Sequence, residues 1–202
     1  DGDAVDAMVF NNTYQPQSVT LGGDAALGGT KTVTGDYTLK ADEFSFTLTP
    51  VDGAPMPQGI TGSQTVKNDA SGNFKFGDIT FTKAGTYQYT ITEVSGNIPG
   101  MSYDGANYTI TVTVGDQNGQ LVIERTVIAS DKTQGPIHVV QFTNTYEPTA
   151  VTVSNLGGTK QLTGRAQKAG EFTFELTSKD NAPMPEKATA QNNVDGKFTF
   201  GN

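Results

Sequence analysis

Residues 107–114 read NYTITVTV. Tyr108, Ile110, Val112 and Val114 alternate with Asn107, Thr109, Thr111 and Thr113. Successive side chains of a strand point to opposite faces, so this run predicts a strand with one face in a core and one in water. The same pattern appears upstream, where Tyr87, Tyr89 and Ile91 alternate with Thr86, Gln88, Thr90 and Thr92, and again where Phe44, Phe46 and Leu48 alternate with Glu43, Ser45 and Thr47. Clusters of Gly, Asn, Asp and Pro interrupt such runs about every ten residues, the spacing of a β-sandwich. Eight strands are predicted, at roughly 29–34, 43–50, 60–66, 73–82, 86–95, 106–115, 119–130 and 136–146. Asn118-Gly119 and Asp52-Gly53 read as hairpin turns, and no helical periodicity stands out. The fold class expected is all-β, an Ig-like β-sandwich.

Composition supports that class and excludes several functions. The 202 residues are 35% hydrophobic and only 17% charged, with 24 Gly and 9 Pro, a turn-rich composition that can still bury a core. The 21 acidic side chains against 13 basic ones give a formal charge of -8, which repels a phosphate backbone, so nucleic acid is not an expected partner. There is no cysteine and one histidine. Disulfides, thiolate metal sites and cysteine nucleophiles are excluded, and no His cluster exists for zinc. No apolar run reaches the roughly 18 residues that span a bilayer, and Asp1 begins no signal peptide, so the expectation is a soluble chain, mature or excised, with no membrane insertion and no cofactor.

The chain also repeats itself. LGGTKTVTGDYTLKADEFSFTLTPVDGAPMP at 27–57 returns as LGGTKQLTGRAQKAGEFTFELTSKDNAPMP at 156–185, and VFNNTYQP at 9–16 returns as QFTNTYEP at 141–148. Lys31 falls on Lys160, and Asn12 on Asn144. Two echoes of nearly one period predict a tandem array: residues 1–14 as the C-terminal strand of one repeat, 15–147 as a complete repeat, and 148–202 as the N-terminal half of a third. That last part would lack strands to cover its apolar face and calls for disorder, swapping or a partner.

Within the complete repeat the alternation sends three polar groups inward. Glu93 follows Tyr87, Tyr89 and Ile91 on the core parity, Asn144 follows Val140 and Phe142, and Lys31 shares the parity of Val33. Burying an unpaired ammonium or carboxylate costs several kcal/mol. Singly, each has an ordinary reading: a solvated strand lysine, a strand-end carboxylate, a turn asparagine. Lys40 competes with Lys31 but lies in a turn. His138 shares the parity of Val140 and reads as a strand-end histidine; no nucleophile elbow accompanies it, so hydrolysis is not expected. Asp116 to Gly119 reads as a hairpin, without the acidic run of a calcium loop.

Taken in order, GTKxxTG with Lys31, EFSF at 43–46, AGTYQYTITE ending at Glu93, SYDG at 102–105 and FTNTY with Asn144 resemble the isopeptide-forming domains of Gram-positive pilins and surface adhesins. That is the streptococcal-type, CnaB-like reversed-Ig class. The resemblance implies a spontaneous amide bond from the Lys31 amine to the Asn144 side-chain carbonyl, assisted by Glu93 and releasing ammonia. It implies a structural stalk domain on the cell wall of a Gram-positive bacterium, self-processing once and therefore no enzyme. Expected partners are adjacent repeats of the chain, with pilus subunits or a host surface ligand beyond them. The alternative is an adhesin module that recognises host matrix or glycan through its loops, although no tryptophan is present to stack on sugar. Asn12 and Lys160 would be the corresponding positions of the incomplete repeats. No LPxTG-like sorting signal appears in these residues.

Overall fold

The computed structural model describes residues 8–135 and 137–201. The chain divides into two compact units, one ending at Pro148 and the other beginning at Thr149.

In the first unit the strands are β1 (Val19–Leu21), β2 (Gly28–Thr34), β3 (Ser45–Pro50), β4 (Gln64–Lys67), β5 (Asn73–Lys75), β6 (Ile79–Phe81), β7 (Gly85–Val94), β8 (Met101–Ser102), β9 (Asn107–Gln117), β10 (Gln120–Ser130) and β11 (Val140–Tyr146). A five-stranded antiparallel sheet runs β10-β9-β7-β3-β4, a four-stranded sheet runs β5-β2-β11-β8, and β1 pairs with β6. The expected all-β sandwich is therefore present. β2 and β11 are parallel neighbours, with Phe142 opposite Lys31 and Asn144 opposite Val33. Parallel partners need a long crossover, and here it contains most of the unit.

The core fills the space between the two larger sheets. Phe46 of β3 stacks on Phe74 of β5 at 3.8 Å and 8° between ring planes, and Phe142 of β11 lies 5.4 Å from Phe46. All three rings are buried, each burial worth roughly 1.5–3 kcal/mol. The inward residues of NYTITVTV are buried to the last one, Val114.

Several boundaries differ from the expectation. The run 73–82 divides: β5 joins β2, whereas β6 joins β1, a three-residue strand too short to show periodicity. Gly77 stands between them, where a Cβ would come 2.8 Å from the Pro57 ring. Asn118 and Gly119 both have left-handed φ, 57° and 89°, the signature of a tight type I′ turn between β9 and β10. Asp52 and Gly53 are also left-handed, but they open a long connection, since β4 begins only at Gln64. His138 precedes β11 and is exposed, because the strand starts at Val140.

The second unit contains β12 (Gly157–Thr159), β13 (Thr173–Glu175), β14 (Thr189–Gln191) and β15 (Lys197–Thr199), paired β12 with β15 and β13 with β14. It repeats the strand pairing and ring packing of β2 to β5. Phe174 stacks on Phe198 at 3.7 Å and 8°, and Phe198 meets Phe200 edge-on at 5.8 Å, as Phe74 meets Phe76 at 6.0 Å. Asn192 is buried and accepts the Phe172 N–H, as Asn68 accepts that of Phe44. Val151, Val153 and Leu156 remain exposed.

Candidate functional site

Three strands bring the inward polar groups to one point. On β2, Lys31 turns into the core while Thr32 faces out, and its backbone N–H is held by the Gly72 carbonyl at 2.7 Å. On β11, Asn144 continues the buried line of Val140 and Phe142. From the opposite sheet, Glu93 of β7 lies across from Phe46 and points between them. Lys31 and Asn144 are at most 1% exposed, and the side chains of Lys31 and Glu93 expose no area.

The Lys31 Nζ lies 3.2 Å from Glu93 Oε1 and donates to Oε2 at 3.3 Å. Asn144 Nδ2 donates to the same Oε1 at 2.9 Å. The Phe44 ring lies beneath the amine, 5.0 Å from Nζ to its centroid. Desolvation dominates both titratable groups. It drives the Lys31 amine below its ordinary value, against the pull of Glu93, and drives the Glu93 carboxyl above its ordinary value, against Lys31 and Asn144. Both shifts favour the uncharged pair: an amine with a free lone pair beside a protonated acid. That is the state in which an amine can attack a carbonyl while a neighbouring acid delivers a proton to the leaving group.

The orientation of the Asn144 carboxamide is fixed by a group that sequence reading did not single out. The backbone N–H of Asp104 donates to Asn144 Oδ1 at 2.7 Å. An N–H can only donate, so the carbonyl oxygen must face Asp104 and the amide nitrogen must face Glu93. Asp104 lies in the SYDG stretch between β8 and β9, and its partners are about forty residues away in sequence. In the sequence this stretch stood only as SYDG, one of the motifs that carry the resemblance. Tyr108 Oη, from the same region, donates to the Gln141 carbonyl at 2.5 Å.

The other expected positions lie apart from this cluster. Asn12 is exposed and outside any strand. Lys160 is half-buried, with Nζ 4.8 Å over the Phe172 ring, which parallels Lys31 over Phe44. Its amine donates to the Gln161 carbonyl, and no carboxylate lies within ion-pair range of it among the described residues. Lys40 is exposed. Asp116 accepts the Gly119 N–H at 2.9 Å and the Tyr14 hydroxyl at 2.8 Å, closing the hairpin. Among the described residues no three His, Cys, Asp or Glu side chains gather as a metal site, and no helix is long and apolar enough to cross a membrane.

The chain is 34% identical over 116 residues to a pilin of Streptococcus pyogenes serotype M1, a match that covers 56% of this chain and 32% of that protein. It therefore spans about a third of the length of that relative. Among solved structures it is similar to the T-13 major pilin of S. pyogenes, at 19% identity and a TM-score of 0.45 over 92% of this chain and 78% of that one. A second S. pyogenes major pilin matches at 17% identity and a TM-score of 0.40, over 95% and 79% of the two chains. A family model described as the Spy0128-like isopeptide containing domain matches residues 27–147 and again residues 156–202. Together these segments take in most of the sequence, and the chain belongs to the family of Spy0128-like isopeptide containing domains.

Proposed function

We propose that the first unit is a force-bearing domain of a pilus or adhesin stalk on the surface of a Gram-positive bacterium, and that it staples β2 to β11 by an amide between Lys31 and Asn144. The observation that carries this reading is the single buried carboxyl of Glu93, which lies within hydrogen-bond range of both the Lys31 amine and the Asn144 amide nitrogen. In the reaction the neutral amine attacks Asn144 Cγ, Glu93 takes a proton from Nζ and gives one to Nδ2, the Cγ–Nδ2 bond breaks and ammonia leaves. The product is a secondary amide, and the carboxyl ends as it began. Folding supplies the proximity, which can lower a barrier by roughly 7–11 kcal/mol. The step occurs once per chain, so there is no turnover.

The residue pattern and the matching packing inside each unit support reading 15–147 as a complete repeat, with 1–14 and 148–202 belonging to neighbouring repeats. Its partners would be those repeats and other pilin subunits. An amide that closes a loop of about a hundred residues stabilises by about 4.7 kcal/mol if it acts as a disulfide does on the unfolded chain. In a cysteine-free chain it takes the place of that cross-link. Intact mass under denaturing conditions tests the reading: one ammonia is missing from the wild type and none from Glu93→Ala, and digestion yields a branched peptide joining Lys31 to Asn144. A wild-type chain of full encoded mass would refute it.

A further inference from the structure

We propose that Asp104 is a positioning residue for amide formation, its own side chain clamping its backbone N–H onto the Asn144 carbonyl oxygen so that this N–H stabilises the negative charge that develops on Oδ1 in the tetrahedral intermediate. The proposal rests on the Lys31–Asn144 reading and deepens it by assigning the oxyanion side of the site.

When the amine adds to Asn144 Cγ, the electron pair of the C=O bond moves onto Oδ1. The Asp104 N–H already lies 2.7 Å from that atom, inside the range at which an oxyanion donor works, in a site from which water is excluded. The Glu93 carboxyl accepts from the leaving nitrogen and lies beside the same Asp104 N–H. In this geometry the nitrogen of the carboxamide meets the proton carrier and its oxygen meets the backbone donor.

What holds the N–H in place is the Asp104 carboxylate. Its Oδ2 accepts the backbone N–H of Thr143, the residue next to Asn144, at 2.8 Å. Its Oδ1 accepts the Ala106 N–H at 3.0 Å and the Lys132 ammonium at 2.9 Å. The carboxylate thereby ties the β8–β9 loop to β11 one residue from the reacting carbonyl. Burial pushes this carboxyl up, but the Thr143 N–H, Lys132 and the Ala106 N–H outweigh it and hold Asp104 below the usual carboxylate range. It therefore stays ionised while Glu93 is driven towards its neutral form, and two nearby carboxyls take separate roles. A loop aspartate needed only to cap its own turn would bond Ala106 alone; the bond to Thr143 reaches the reacting strand.

The test follows ammonia loss after cell-free translation of the full chain, by intact mass of denatured aliquots, with the folded fraction of each aliquot read by pulsed hydrogen exchange. Removing one oxyanion donor slows a reaction by about a hundred- to a thousandfold; loosening it through its clamp should slow Asp104→Ala by about ten- to a hundredfold per folded molecule. Asp104→Asn preserves the shape and one acceptor but sets an NH2 against the Thr143 N–H, and about a tenfold slowing is expected even if the alanine variant folds poorly. In the unreacted Glu93→Ala background, adding Asp104→Asn should move the Asn144 Cγ carbon resonance upfield as its carbonyl loses the donor. Wild-type rates per folded molecule in both Asp104 variants, or an unmoved carbonyl resonance, would overturn the assignment. A wild-type chain that loses no ammonia would instead sink the amide reading itself, so the two failures are distinct.

Discussion

Asn144 stands one inward step beyond Phe142, the residue that pairs with Lys31 across the parallel strands. The two reacting side chains thus rise from adjacent strands on the same face, offset along the strand direction, and meet over Glu93. An amine on a long flexible stem can span such an offset, whereas a shorter nucleophile could not. Lys31→Ser should leave the mass of the chain without ammonia loss, as measured on the denatured protein.

Glu93→Ala should reduce stability in two ways. It prevents the link, forfeiting about 4.7 kcal/mol of loop constraint, and it leaves the buried Lys31 amine without its hydrogen-bond partner, which costs about a further 1–3 kcal/mol. The urea midpoint checks this, and a shift within error of wild type would contradict it.

A pH dependence should appear in Lys31→Met, where Glu93 stays buried without the amine. A carboxyl whose folded pKa lies above its unfolded value of 4.5 binds more protons in the native state across the interval. Its contribution is full below 4.5 and is lost as pH climbs through the raised native value. Lys31→Met should therefore unfold at lower urea at pH 8 than at pH 5, and Lys31→Met with Glu93→Gln should show a smaller difference. Equal pH dependence in the two would show that Glu93 is not the source.

Asn68 offers a check that does not involve the staple. Its side chain accepts the Phe44 N–H at 2.8 Å and donates to the Lys40 and Asp69 carbonyls at 2.8 Å each. Removing it leaves these groups without partners in a buried place, so Asn68→Ala should destabilise by about 1–3 kcal/mol while ammonia loss still goes to completion. Chemical denaturation and intact mass on the same sample read both outcomes.

Pulling on the chain at Gln17 and Pro148 should distinguish the linked from the unlinked form. With the amide in place, the chain between Lys31 and Asn144 stays out of the force path. In Glu93→Ala it should pay out at about 3.3–3.6 Å per residue. Identical extension traces would exclude the staple.

Parity along single strands was enough to turn Lys31, Glu93 and Asn144 inward, because a period of two survives in strands of seven to ten residues. It could not say which strands become neighbours. Whether 73–82 is one strand or two depends on pairing with β2 and β1, and Val19–Leu21 is too short to alternate. Asp104 and Asn68 escaped for a related reason: both are small polar residues in connections between strands, where alternation has nothing to read. Their decisive bonds go to residues 24 to 40 positions away. The echo of Lys31 in Lys160 reached the ring beneath the amine, Phe44 and Phe172, and the backbone bonds to Gly72 and Gly196.

The parallel pairing of β2 with β11 also fixes a direction. The polypeptide arrives at Gly28 and departs at Tyr146, and because the strands run the same way these points lie at opposite ends of the pair. An antiparallel arrangement would return the chain to its starting side, as in a hairpin. Here the backbone advances along one axis through the unit, the vectorial geometry of a rope strand, and a tug on its ends acts along the strands in shear instead of opening them one hydrogen bond at a time.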